Sequence, residues 1–180
     1  MMKKRFALCA TALLSLCLLA GCGGPKAPQD KAAIAYMEAV AKGDAAAMAA
    51  ADGYDQGEID LSYCADVVAK RRAEAKFDIL ESTGDDATGY TVTVGATFVD
   101  LAEEFQKASE EQLTASLENG DLSEDEIAQN IVKELEKGGK ETKWKIVLKL
   151  TKEGEGYRVD VSQCAGDIAS IYSCGLKNAL

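Results

Sequence analysis

Histidine is absent from all 180 residues. Its absence removes the side chain that titrates nearest neutral pH, together with the Ser/His and Cys/His nucleophile pairs and most zinc sites. Proline is scarce. Both prolines, Pro25 and Pro28, sit in one short stretch, so nothing downstream is interrupted by that residue. The apolar run over residues 6–20 is 15 residues long and contains Thr11 and Ser15. A membrane-spanning helix needs about 20 apolar residues. Cations are in deficit, with 20 Lys and Arg against 30 Asp and Glu, a net charge of −10. That balance argues against a nucleic-acid partner and against electrostatic binding to anionic lipid, both of which need a basic patch.

What is present begins at the N-terminus. A basic start (Lys3, Lys4, Arg5) leads into the apolar run and ends at Leu19-Ala20-Gly21-Cys22, with Gly23 and Gly24 following. A charged n-region and an apolar h-region are the parts of a secretory signal. Small residues placed directly before a cysteine resemble the lipobox of bacterial lipoproteins. The resemblance implies cleavage between Gly21 and Cys22, fatty acylation of Cys22, and residence at the extracytoplasmic face of a cell membrane; taken with the acidic helical segment 101–138 and the order of elements below, the chain resembles lipoproteins of Gram-positive bacteria. Each buried methylene of an acyl chain contributes about 0.8 kcal/mol, and one chain anchors only marginally, so the two or three chains of this family imply stable attachment. Residues 22–29, with the Gly-Gly-Pro-Lys-Ala-Pro-Gln segment, form a tether. Its seven residues reach at most roughly 25 Å.

Removal of residues 1–21 takes three of the 20 cations and none of the 30 anions, which moves the net charge from −10 to −13. Residues 30–180 suit one domain with one core. Three cysteines remain in it: Cys64, Cys164 and Cys174. An oxidising compartment permits one disulfide. Cys164 and Cys174 are poor partners if helix separates them, because ten residues of helix span about 15 Å. A bond from Cys64 to Cys164 or Cys174 is then expected; three buried thiols are the alternative.

The chain order predicts an α+β fold. A helix opens at Asp30 as N-cap, carries Ala33, Ile34, Met37, Val40 and Ala41 inward, and stops at Gly43. A short helix over 44–51, a loop over 52–57 and a third helix from Asp60 carrying Leu61, Cys64, Val67 and Val68 come next, with Lys70, Arg71 and Arg72 beyond. At Phe77 the apolar period drops to 2. Phe77, Ile79 and Leu80 enter a strand, residues 82–89 form a turn cluster, and Tyr90, Val92, Val94, Ala96 and Phe98 line one face of the next strand. Asp100 caps a helix containing Leu101, Phe105, Ala108, Leu113 and Leu117, ended by Asn119-Gly120. Ser123 and Glu126 form a capping box for another helix. The pair makes a helical hairpin over 101–138. Two strands follow, with Trp144, Ile146, Leu148 and Leu150, then Tyr157, Val159 and Val161, facing a core that helices cover. A final helix is expected over 164–176.

The opening Ala35-Tyr36-Met37-Glu38-Ala39-Val40-Ala41-Lys42-Gly43-Asp44 resembles the start of nuclear-transport-factor-2-like domains, as does the order of elements over 30–162. Such a fold implies N-terminal helices packed on a curved antiparallel sheet of about four strands, around a conical cavity, with 101–138 as an insertion between the strand pairs. Enzymes of that fold often use an Asp/His pair in the cone, which this chain lacks.

Few residues are marked for chemistry. The acidic clusters Asp52-Asp55-Glu58-Asp60, Asp85-Asp86 and Asp121-Glu124-Asp125-Glu126 lack calcium-loop spacing and suit solvated loops and helix starts. No metal or cofactor is expected. Trp144, Tyr90 and Tyr157 read as half-buried sheet residues, or as the rim of an apolar pocket. The expected function is non-enzymatic: a membrane-anchored module binding a small apolar ligand or, through its acidic hairpin, an envelope protein. The alternatives are a carboxylate-dependent enzyme in the cone and a structural homodimer.

Overall fold

Strict apolar–polar alternation makes a strand that is dry on one side only, and the central strand of this protein shows it. In the computed structural model, which describes residues 27–44, 47, 62–119 and 122–179, β2 (Gly89–Asp100) buries Val92, Val94, Ala96 and Phe98 and turns Thr91, Thr93, Gly95 and Thr97 the other way. It pairs antiparallel with β1 (Lys76–Asp85) and β3 (Lys140–Glu153), and β3 pairs with β4 (Gly156–Asp160), giving the order β1-β2-β3-β4. The register aligns Phe77, Ala96 and Trp144 in one inward row and Ile79, Val94 and Ile146 in the next. Among the described residues the fold is α+β, with five α-helices and this one sheet.

The helix α1 (Pro28–Lys42) places Ala33, Tyr36, Met37 and Val40 in the same buried cluster as the inward sheet residues. It begins two residues before Asp30, and Ala27 occupies the N-cap. The correction follows from Pro28 at the first helical position, where a missing N–H costs nothing and φ is already helical. Gly43 ends it in the left-handed conformation at φ 78, and a Cβ there would strike the Arg72 guanidinium. The expected helix over 44–51 lies outside the described residues except for Asp44 and Ala47, whose N–H donates to Asp44 Oδ1 at 3.3 Å. The loop over 52–57, Asp60 and Leu61 also lie outside them. Chain is described again at a single 3₁₀ turn, Ser62–Cys64, which leads into α2 (Ala65–Arg72).

β1 is longer than expected. Residues Ser82 to Asp85 continue the strand, and the turn shrinks to residues 86–88. Ladder pairing with β2 outweighs the turn propensity of Ser, Thr and Gly, and Asp85 closes the turn by accepting the N–H groups of Ala87 (2.9 Å) and Thr88 (2.8 Å). A bulge between Ile79 and Glu81 turns Leu80 out of the core.

From the far end of β2 the chain enters α3 (Ala102–Asn119), whose first N–H is accepted by Asp100 Oδ1 at 2.9 Å. α4 (Glu124–Lys137) starts with the Ser123–Glu126 capping box. A second buried cluster joins Leu101, Phe105 and Ala108 of this region to Ile131 and Leu135 of α4, to Cys64, Val67 and Val68, and to Cys174 and Leu176. Asn130 donates to Gln112 at 2.9 Å between the two helices. Leu113 and Leu117 of α3 stay in water.

The last helix, α5 (Ala165–Tyr172), is shorter than expected and is followed by a 3₁₀ turn, Leu176–Asn178. It sends Ile168 and Ile171 into the first cluster. Between them Cys174 adopts φ 51, Gly175 φ 79, and the Cys174 carbonyl accepts the Leu101 N–H at 2.8 Å. The Asp100 carboxylate fills the space where a Gly175 side chain would start.

Candidate functional site

The interior that a conical fold would offer to a ligand is occupied by the protein's own side chains. Val92, Val94, Ile146 and Leu148 have no exposed surface, and Tyr36, Met37, Val40, Ile168 and Ile171 pack over them. Fully burying a Val, Leu or Ile side chain stabilises the fold by about 1.5–3 kcal/mol, so this face is a stability element first. The Tyr36 hydroxyl donates to the Ala47 carbonyl at 3.0 Å, and burial pushes its phenol pKa well up, so it remains a neutral donor. Trp144 packs edge-on against Phe98 at 5.3 Å.

Tyr90 and Tyr157 lie at the turn end of the sheet, ring edge to ring face at 5.7 Å. Both hydroxyls donate to Asp86 Oδ1, at 3.0 and 3.4 Å, while Lys152 Nζ donates to Asp86 Oδ2. The Lys152 hydrogen bond, then that of Tyr90, holds the Asp86 carboxyl below its ordinary value, and the same contacts raise Lys152 and lift Tyr90 to about 12. A carboxylate held charged by three donors is a poor proton acceptor. The cluster ties the β1–β2 turn to the β3–β4 hairpin, which is a structural task.

The other displaced carboxyls behave alike. Asp85, Glu126, Glu134 and Asp160 are all held low: Asp85, Glu126 and Asp160 chiefly by backbone N–H donors (Thr88, Ser123, Ser162), Glu134 by Lys137. Among the described residues no three Cys, Asp or Glu side chains converge as metal ligands. Asp85-Asp86 and Glu124-Asp125-Glu126 are turn and helix-start residues; the Asp52-Asp55-Glu58-Asp60 cluster and Asp121 lie outside the described residues.

Cys64, Cys164 and Cys174 are buried as thiols. Cys64 and Cys174 share the second cluster, whereas Cys164 belongs to the first. Burial pushes Cys164 up to about 11, with Asp167 and Asp160 adding to it, and pushes Cys174 up to about 12. Cys174 donates to the Val68 carbonyl at 3.5 Å. Thiols of this kind are inert.

Among the described residues the buried charged side chain is Arg72, only 9 % exposed. It donates to the carbonyls of Ala41 (3.2 Å) and Tyr172 (3.1 Å), at the ends of α1 and α5, and stacks over the Tyr172 ring at 4.2 Å. It joins three helices and satisfies carbonyls that helix ends leave open. The sequence marked it only as part of a basic run.

Two exposed surfaces remain. On α3, Leu113 is 64 % and Leu117 81 % exposed, and helical spacing puts Glu103, Gln106 and Glu110 on the same stripe. Residues 101–138 hold 11 acids and three lysines. A shallow groove lies between α3 and α4, lined by Glu104, Lys107, Glu111, Glu134 and Lys137. On the outer face of the sheet, Leu80 (53 % exposed) lies across Gly95, and Val147 (44 % exposed) stands opposite Thr93 on the next strand. Lys76, Lys143, Lys145 and Lys149 share that face with Asp78, opposite Gly95, and Glu81, opposite Thr93, so its charge is mixed. At 100° per residue, Leu113 and Leu117 fall on a different stripe from Leu101, Phe105 and Ala108.

Among the described residues no helix is long and apolar enough to cross a membrane. Cys22, the Gly21–Cys22 junction and residues 22–26 of the tether lie outside those residues. Compared with family models, with curated proteins and with solved structures, the chain matches none.

Proposed function

We propose that this chain is an extracytoplasmic lipoprotein, anchored through acylated Cys22, whose domain is a non-enzymatic interaction module. In this reading the domain is a nuclear-transport-factor-2-like cone, α1 packs on its curved sheet, and 101–138 is an insertion carrying the binding surface. The observation that carries the functional part is the pair of leucines, Leu113 and Leu117, left in water on an acidic helix whose root is well buried. Exposed apolar side chains grouped on one stripe mark interaction sites more often than scattered ones do. The filled inner face weighs toward a protein partner and away from a small apolar ligand between α1 and the sheet.

Placement supports the same reading. Gln29, the last residue of the tether, donates to Ser82 at 3.4 Å, near the turn end of the sheet. The hairpin leaves from Asp100 at the other end, eight residues along β2 from Val92, the partner of Ser82, or about 27 Å. A tether at residues 22–29 would therefore hold the turn end toward the membrane and leave the hairpin root on the far side. The test is fractionation and cross-linking in cells. Cys22→Ser should release the protein from the membrane fraction, and Leu113→Ser with Leu117→Ser should abolish cross-links from α3 while leaving the protein anchored and folded. Unchanged membrane retention of the Cys22 variant, or unchanged α3 cross-links, would overturn the corresponding half of the reading.

A further inference from the structure

The cations of the α3–α4 hairpin all lie toward its root. Lys107 pairs with Glu111 at 3.8 Å, Lys137 pairs with Glu134 at 2.7 Å, and Lys133 donates to Asn130 at 3.5 Å. Beyond them, residues 108–119 and 122–132 contain no lysine or arginine. They hold six acids, Glu110, Glu111, Glu118, Glu124, Asp125 and Glu126, all exposed. Of these, Glu110, Glu118, Glu124 and Asp125 enter no ion pair among the described residues. The two leucines left in water stand on this outer part of α3, four residues and therefore about one helical turn apart. Glu103 and Glu110 share their stripe. The start of α4, with Glu124 and Asp125, follows closely on the last turn of α3.

We infer that the occupant of the α3 leucine stripe is a cationic amphipathic helix of another protein, its apolar face on Leu113 and Leu117 and its lysines or arginines against the acids around them. This rests on the interaction-module reading above and names the class of partner. The surface is helical and has no open strand edge, so an extended segment gains no backbone pairing there. A helix laid along α3 meets leucines one turn apart with apolar residues of the same spacing. Charge then selects the sign, because opposite potentials steer and register an interface and like charges oppose it. The same acids repel an anionic lipid surface. A second copy of this chain does not offer the required face. Its other exposed apolar patch, Leu80 with Val147, has Asp78 and Glu81 among its lysines. Two of the three residues of its basic run are engaged within the fold: Arg72 is buried, and Arg71 donates to the carbonyls of Glu136 and Gly138.

The test uses the full chain from its own membrane, placed in phosphatidylcholine vesicles, with a photo-cross-linking residue at position 114. That position is exposed and lies beside the leucines, so both of them are kept. The probe is a synthetic amphipathic helix with leucines on one face and lysines on the other. One control helix carries glutamate in place of lysine, and a second carries glutamine in place of leucine. The Leu/Lys helix should cross-link to α3 about tenfold more than either control, with a yield that falls as salt rises. Leu113→Ser with Leu117→Ser should lower that yield about tenfold, as expected when apolar anchors are lost from a helix contact. Glu103→Lys with Glu110→Lys should move the preference to the Leu/Glu helix. Circular dichroism of each variant checks that it is folded. Equal cross-linking of the two leucine-faced helices would overturn the cationic class, and so would a Leu/Lys cross-link that survives loss of both leucines. If no peptide cross-links while the cellular α3 cross-links described above persist, the partner has another chemistry and the interaction module stands. Loss of both sets of cross-links removes both readings.

Discussion

The sheet with α1 and α5, and the α3–α4 hairpin, are built from similar residues and end in opposite states. In α1, Ala33, Tyr36, Met37 and Val40 are all buried, in one cluster with the inward sheet residues and with Ile168 and Ile171 of α5. In α3 the burial stops after Ala108. The first turns touch Leu176 and α4, and the outer turns, with Leu113 and Leu117, meet only water on that stripe. A helix gains most of its stability in a protein from tertiary packing of one face. The comparison therefore separates a region that is closed on itself from one whose apolar surface is unfinished without something outside the chain.

The largest expected effect lies in the closed region. Leu148→Ala removes a side chain with no exposed surface and should lower unfolding stability by about 2–5 kcal/mol, measured by urea denaturation. If Leu148→Ala costs no more than a surface change, the core as described is wrong. Arg72→Met comes next. It keeps most of the packing volume but leaves the Ala41 and Tyr172 carbonyls without their donor, at about 1–3 kcal/mol for each buried group left unmade. An intermediate loss is expected, and a neutral result would show that water replaces the guanidinium.

The thiols sharpen the same contrast. Cys164 and Cys174 ionise at about 11 and about 12 in the fold, above the ordinary 9.0. A raised value in the folded state contributes stability below pH 9 that is lost as pH climbs through 11 and 12. Alkaline titration should show that decline, and maleimide should label neither thiol at pH 7 until denaturant is added. If the expected bond from Cys64 to Cys164 or Cys174 forms in the envelope, denatured, unreduced protein will take up one label instead of three in this domain.

Leu113→Ser and Leu117→Ser should change stability by less than about 0.5 kcal/mol, since both side chains are already in water. Amide exchange in the outer turns of α3 should be faster than in α1 and β2, and association should slow it. The smallest effect belongs to Asp86→Asn. Asp86 is exposed, and its carboxyl is held below 3.8, so what it adds is present above that pH and disappears as pH falls through the lowered value. A small, salt-sensitive change confined to the native turn end is expected; a large one would mean that the cluster does more than fasten two turns.

Much of the architecture was legible before any coordinates. The alternation over Tyr90–Phe98 and Trp144–Leu150 named the inward faces correctly, and the Ser123–Glu126 box and the Gly43 stop marked helix ends, because these signals act over a few neighbouring residues. The strand extension over Ser82–Asp85 was not legible, since pairing with β2 supplies it from outside the segment. The bulge that exposes Leu80 depends on register, which one strand does not contain. Tyr90 and Tyr157 were noticed, but their meeting at Asp86 requires two hairpins side by side.

By itself, then, the sequence determined the class of fold, the periodicity of each face, the acid balance, and the absence of histidine chemistry, all of which follow from residue identity and near-neighbour spacing. Tertiary structure alone decided which apolar residues are covered. Leu101 and Leu117 are the same residue type within one helical region, yet one is sealed by Cys174, Leu176 and α4 and the other stands in water. The reason is that burial is a property of what arrives from elsewhere in the chain. Only that arrangement brought Arg72 beneath two helix ends and left the leucine stripe of an acidic helix open.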